Sequence, residues 1–474
     1  MTRCKLVAIL VVFSSQLFAQ EKWTLRQCIE YATKNNISVK QADVQFRLSK
    51  INANQSESTK FPSLGGSVSS ALQSGLTENP TTGTLENQSF LTGSASLQSS
   101  YNIFNWNARK NTILANNLNA KADEIAIDKA KNDISLAVAN AYLQVMLRRE
   151  QARISEVQIG QSRSQLVNVK KLVAAGSQPE LNAVQVEAQL AKDSSNLITA
   201  NALIQQAMIN LRAYMNLDFT IPFDIVSPEI SNIPVDNITE LQPEVVYNLA
   251  LATQPTQRMY KLRIEASNKQ ILAARGSMYP ELSAFAGLNT RAVNSKFPVG
   301  TFSAPGATGA IVTIDGNTYD VLAPSFQQTG KAGIPVFRQV KNNFGQQMGL
   351  SINFPIFNNY NTRTQWERAK LNVVQLKLQN EQENLTLKTN IYNAYQDAFS
   401  ALQKLNASKR TVEYTQKAYD ISKKRYDIGL LGTLDFIITQ NNLYLAQIDT
   451  ISSQYDFVFK MKVLEFYKGE GIRL

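Results

Sequence analysis

Residues 425–447 read RYDIGLLGTLDFIITQNNLYLAQ, and residues 172–192 read LVAAGSQPELNAVQVEAQLAK. In each, a helix-forming stretch stops at a glycine and a second one begins a few residues later. Gly176 and Gly429 lie 253 positions apart, and the same offset holds on either side of them. It brings Ile103-Phe104 onto Ile356-Phe357, Ala141-Tyr142 onto Ala394-Tyr395 and Tyr214 onto Tyr467. Upstream the offset is 218, with Ala32 on Ala250 and Phe61-Pro62 on Tyr279-Pro280. The 35-residue difference places an insertion in the second copy, between Leu282 and Ile356. Two copies of so long a unit are an internal duplication and not a solenoid array.

The run 362–427 contains neither Gly nor Pro, which predicts a helix of about 100 Å at 1.5 Å per residue. Within it Ile391, Ala398, Leu405, Val412, Tyr419 and Tyr426 recur every seventh residue, and Val138, Val145, Ala152, Ile159, Leu166 and Val173 do so in the first copy. A seven-residue apolar repeat predicts left-handed coiled-coil packing. The expected partner column begins with Tyr395 and Leu402 but turns polar at Lys409, Gln416 and Lys423, as for a helix packed on one side and wet on another. Thr24-x-x-Gln27 opens the first helix as a capping box.

The segments after the two prolines alternate instead. Leu91, Ala95, Leu97, Tyr101 and Ile103 share one parity, with Ser94, Ser96, Gln98, Ser100 and Asn102 on the other. Met348, Leu350, Ile352 and Phe354 likewise alternate with Gln347, Gly349, Ser351 and Asn353. Alternation this long predicts strands with one apolar and one polar face, of the length that crosses a bilayer; strands of a soluble sandwich are shorter, about 5–6 residues. Four such strands do not close a barrel, and an open edge in lipid leaves backbone groups unpaired. Membrane-spanning strands here therefore require several chains around one barrel, and a cyclic homo-oligomer supplies them. The loop tip at 74–90 is rich in Gly, Pro and Asn, and IVTIDGNTYDV at 311–321 reads as an Asp-Gly hairpin within the longer tip at 290–343. The Pro-rich stretch 216–242 is a linker or a short β-containing collar.

Composition narrows the function. The 474 residues carry a formal charge of +11 and no histidine, which removes the commonest general base and metal ligand. No Walker glycine loop and no metal-ligand cluster is present, so no enzyme, no cofactor and no metal site is expected. The basic residues are spread along helices without interleaved aromatics, against nucleic-acid binding. Residues 1–19 read as a signal peptide cleaved after Ala19; Cys4 leaves with it, and Cys28 is expected as a small apolar residue on a helix face. A periplasmic or surface coiled-coil scaffold without a channel is the competing reading, but it leaves the membrane-length strands unexplained.

The duplicated arrangement, the opening WTLRQCIEYATKNN, the FP and YP before each strand pair and the terminal RYDIGLLGTLDFIITQ resemble the TolC-like outer membrane efflux proteins over nearly the whole chain. The resemblance implies a mixed, mainly α fold. It implies that three chains share a 12-stranded outer membrane β-barrel, continued by an α-helical periplasmic tunnel in a Gram-negative bacterium. It also implies an exit duct for small molecules or polypeptides, working with a periplasmic adaptor and an inner-membrane pump or ABC transporter. On this reading each copy runs N-terminal helix (20–60 and 243–278), strand pair with extracellular loop (61–104 and 279–357) and tunnel helices (105–215 and 358–467). The stretch 216–242 is equatorial and 468–474 a tail. Gly176, Gly429 and Gly432 mark the periplasmic turns that an adaptor engages. Tyr426 and Asp435 match positions that close the entrance, the tyrosine by a hydrogen-bonded constriction and the aspartate by a ring of carboxylates. The family pattern has a second acid three residues after Asp435, where Ile438 stands here, and the first-copy counterpart of Asp435 is the uncharged Asn182. Two local readings compete: a carboxylate in a first helical turn is favourable by itself, and Tyr426 ends an apolar column.

Overall fold

The computed structural model describes residues 22–78, 84–230, 233–324, 326–469 and 471. The expected signal peptide and residues 79–83 of the first loop tip lie outside them. The chain divides into two compact units, one of residues 1–53, 115–268 and 371–474, the other of residues 54–114 and 269–370. In chain order the first elements are α1 (Leu25–Asn35), α2 (Ile37–Ser58), β1 (Ser63–Glu78), β2 (Leu85–Phe104), α3 (Ala108–Ala174) and α4 (Glu180–Met215). Then come α5 (Pro243–Thr253), α6 (Pro255–Gly276), β3 (Glu281–Val293), β4 (Lys296–Phe302), β5 (Gly306–Ile314), β6 (Asn317–Ala323) and β7 (Phe326–Gly333). The last are α7 (Val336–Asn342), β8 (Gly345–Asn353), α8 (Asn361–Asp427) and α9 (Thr433–Lys468).

The helical unit is built on two helices of 67 residues, α3 and α8, each followed by one of 36, α4 and α9. Both apolar columns turn inward, every member buried or half-buried. The second column is not the one read from the sequence. Ala394, Ala401 and Ser408 are buried, and so are Ala141, Ser155 and Ser162 in α3, whereas Lys409 and Lys423 are exposed. Small side chains in that column let neighbouring helices approach closely, and a serine can hand its hydroxyl proton to its own helix, as Ser155 and Ser408 do.

Thr24 and Gln27 form the reciprocal capping box of α1. The stretch expected as one helix over 20–60 is two, because Asn36 takes an extended backbone. Its amide donates to the Tyr214 carbonyl (2.8 Å) while its Oδ1 accepts from the Ser38 N–H (2.8 Å), and the second bond caps α2. The 243–278 stretch breaks at Gln254, which is also extended: the following Pro255 brings no N–H and disfavours helical geometry before it.

The Pro-rich stretch is packed, not loose. Ile225 pairs with Trp23 as a single parallel bridge and is buried with Phe223, Cys28, Tyr142, Met146, Leu211 and Met215 in the first core. Leu241, with Val246 and Ala250 of α5, closes a second core on Ile391, Ala398, Met461 and Leu464. Arg149 of α3 holds the Asp224 carboxylate and donates to the Ile225 carbonyl (2.9 Å).

The other unit carries an antiparallel sheet in the order β1-β2-β3-β8. One face is hydroxylic: Ser63–Ser100, Ser67–Ser96 and Ser69–Ser94 pair across strands at 2.8 Å. The opposite face is apolar and open, with Val68 86% and Met348 85% exposed and Leu64, Leu72, Leu350 and Ile352 alike. Phe61, Phe104, Trp106, Tyr279, Phe357 and Tyr360, near one end of these strands, are exposed aromatics. The Asp-Gly hairpin is present as β5–β6, turning through Asp315 and Gly316 at positive φ. Among the described residues no helix is long and apolar enough to cross a membrane.

Candidate functional site: the two helix tips

At both tips the long helix ends in the same way. The Ser177 N–H reaches back to the Leu172 carbonyl (2.9 Å) and the Gly176 N–H to that of Val173 (2.9 Å). In the second tip Leu430 bonds to Arg425 (2.8 Å) and Gly429 to Tyr426 (3.0 Å). This is the Schellman closure, which needs a left-handed residue just past the helix; Gly176 has φ +73° and Gly429 +77°. Three residues later the return helix starts, at Pro179 and at Gly432. Gly432 has φ −67° and ψ 151°, a conformation open to any residue, so its backbone does not require glycine. Lys424 and Arg425 lie in the last turn of α8, where cations complement the helix dipole.

Tyr426 is half-buried at the end of its column. Its ring lies flat on Phe436 (centroids 4.6 Å apart, planes 6° apart), which also stacks on Tyr419. The Tyr426 hydroxyl meets that of Thr433 at 3.5 Å. Burial, with the charges of Asp420 and Asp427, pushes the Tyr419 hydroxyl above its ordinary value. Asp435 sits in the first turn of α9, exposed. Its counterpart Asn182 is half-buried and donates to Gln178 at 3.4 Å. Within one chain the second tip thus gathers Tyr426 and Thr433 on one side of the turn and leaves Asp435 free on the surface.

Farther along the hairpins lies a polar layer that the periodicity did not reveal. Asp193 is 1% exposed and is held by neutral donors: Ser162 Oγ (2.6 Å) and Gln158 Nε2 (3.4 Å) on one oxygen, Gln189 Nε2 (2.9 Å) on the other. Gln189 and Asn441 exchange amide hydrogen bonds of 2.9 and 3.0 Å between α4 and α9. The available signal was polar residues, Ser155 and Ser162, at heptad spacing beside the apolar column. A groove of about 880 Å³ between the hairpins is lined by Gln165, Leu172, Lys423, Tyr426, Phe436 and Gln440. Tyr426 therefore belongs to both a packed stack and a groove wall.

Residues 28–217 and 246–460 match the outer membrane efflux protein family. The chain belongs to that family. It is similar to the pyoverdine export outer membrane protein OpmQ of Pseudomonas aeruginosa, with 23% identity over 439 residues, covering 89% of this chain and 80% of OpmQ. Its fold is that of CusC (TM-score 0.73, 17% identity, 94% and 92% of the two chains). It is also that of the outer membrane channel CmeC of Campylobacter jejuni (TM-score 0.71, 17% identity, 95% and 86%). This outer membrane efflux protein is therefore an export channel of the outer membrane with a large helical periplasmic part, and the channel-free scaffold reading falls away.

Proposed function

We propose that three copies close one 12-stranded barrel, each giving β1, β2, β3 and β8, and that the duplicated hairpins form a periplasmic tunnel. The tunnel receives cargo from an adaptor and an inner-membrane pump. The observation that carries this is the four-stranded sheet itself: its apolar face is open along its length, and β1 and β8 each have one unpaired edge. Unpaired strand edges do not persist in hydrocarbon, and a ring of copies pairs β8 of one with β1 of the next. The export of pyoverdine by OpmQ supports small organic molecules as cargo.

At the tips, Asp435 is proposed to face the axis, so that three exposed carboxylates form a ring that attracts cations. Tyr426 supports the closed turn through Phe436 and Thr433, while the first tip has the uncharged Asn182 at the position of Asp435. Gly176, Gly429 and Gly432 shape the turns that the adaptor engages. Planar-bilayer recording tests the ring. Trivalent cations added on the periplasmic side should block the wild-type current, and Asp435→Asn should weaken that block about tenfold or more. Unchanged block in the variant would take Asp435 off the axis.

A further inference from the structure

The hydroxylic face of the sheet carries a ring that strand alternation does not call for. Phe285 lies between Ser100 on β2 and Gly349 on β8, on the face of Ser63, Ser67 and Ser96, and is 40% exposed. A Cβ at position 349 would meet Phe285 Cζ at 2.8 Å and Cε1 at 3.1 Å. The ring therefore lies on the glycine backbone, one face against the sheet and the other turned away from it. Around it is a concavity of about 590 Å³ lined by Ser63, Ser67, Ser96, Gln98 and Gln347, and none of its lining residues is ionisable. That volume is in the range of small-molecule sites, about 300–1,000 Å³.

Each serine hydroxyl offers one donor and two acceptor positions, and each glutamine amide two donors and an acceptor. The cross-strand serine pairs use only part of this capacity. An ion finds no counter-charge here, and an apolar molecule would strip water from these groups without replacing its hydrogen bonds. The groups that satisfy both the ring and the rim belong to a neutral polyol. Its C–H face meets the negative face of the aromatic quadrupole, and its hydroxyls exchange with the serines and glutamines.

We propose that Phe285, with Gln98 and Gln347, forms a subsite inside the barrel for uncharged polyhydroxylated cargo, a saccharide or a sugar-bearing small molecule. The assignment rests on the shared-barrel reading, which makes the hydroxylic face the lumen. The test uses purified full-length protein in planar bilayers, with maltohexaose added on the outer side. The wild-type current is expected to show transient interruptions. Phe285→Leu, which still covers Gly349 but has no ring, should shorten them about tenfold at unchanged open conductance, and Phe285→Trp should keep them. Gln347→Ala reads the same subsite at its rim and should also shorten them. Uninterrupted wild-type current, or interruptions of equal length in Phe285→Leu and Gln347→Ala, would overturn the subsite while leaving the barrel intact. A wild-type protein that gives no channel current would overturn the barrel itself.

Discussion

At Gly176 and Gly429 the chain turns at positive φ, and a Cβ added at either position would meet no atom within 4 Å. Glycine is there for backbone freedom and not for room. Gly429→Val should cost about 1–2 kcal/mol by forcing a β-branched residue into the left-handed region, read as faster proteolysis at the tip and a lower Tm. Gly432→Ala is the contrast: its φ is negative and the nearest atom to an added Cβ is the Asp435 Oδ2 at 3.6 Å, so Tm should move little. If the two variants behave alike, the Schellman closure is not what holds the tip. Cys28 makes a second residue-scale case. Burial pushes its thiol up to about 12, so a thiol reagent at pH 8 should react only on unfolding. Prompt labelling would mean that α1 opens away from its core.

Among the elements, the helical hairpins are held by polar contacts as well as by the heptad columns. Asp193→Ala would leave Ser162, Gln158 and Gln189 without their shared acceptor, and each buried unpaired group costs about 1–3 kcal/mol. A clear fall in thermal stability is expected, measured by the loss of helical circular dichroism; an unchanged melt would mean that water replaces the carboxylate. The segment around Ile225 is tied to α3 by a titratable contact. Burial works against the charged form of Asp224, but hydrogen bonds from Arg149 and the Ile225 amide, with the charges of Arg149 and Lys22, outweigh it and hold the carboxyl below its ordinary 3.8. A depressed carboxyl stabilises the fold above the unfolded value and loses that contribution as pH falls through the folded one. Trp23, packed edge-on against Phe223, reports it. With Trp106 and Trp366 replaced by Phe, its emission should hold down to about pH 4 and shift below, and Asp224→Asn should remove the step.

For the whole molecule the decisive features are those that one chain leaves unfinished. A sheet with an open apolar face and two free edges is an aggregation hazard in water and incomplete in lipid. Three copies close both edges if each β8 meets the next β1, and the hydrocarbon of the membrane covers the apolar face. Protein extracted from outer membranes in mild detergent should therefore have the native mass of three chains, with no soluble pool. A monomer in that measurement would refute the shared barrel, and an added proline in the middle of β8 should abolish the trimer by removing a ladder donor.

What the sequence determined by itself was periodic or strictly local. The seven-residue column from Ile391 to Tyr426, the alternation of β2 and β8, the capping box at Thr24 and the turn glycines all follow from spacings of a few residues, which backbone geometry sets. The family, and with it the export function, was legible because these local signals recur in one order twice along the chain. The tertiary structure alone decided which polar residues turn inward. Ser162 meets Asp193 across 31 positions and Gln189 meets Asn441 across 252, and no local rule reaches that far. The break at Asn36, held by the distant Tyr214 carbonyl, and the docking of Ile225 on Trp23 have the same origin. So does the setting of Phe285, an ordinary strand residue until Gly349 of a strand more than 60 positions away comes to lie beneath it. A polar or aromatic side chain takes its role from what surrounds it in space, and chain spacing carries that information only for near neighbours.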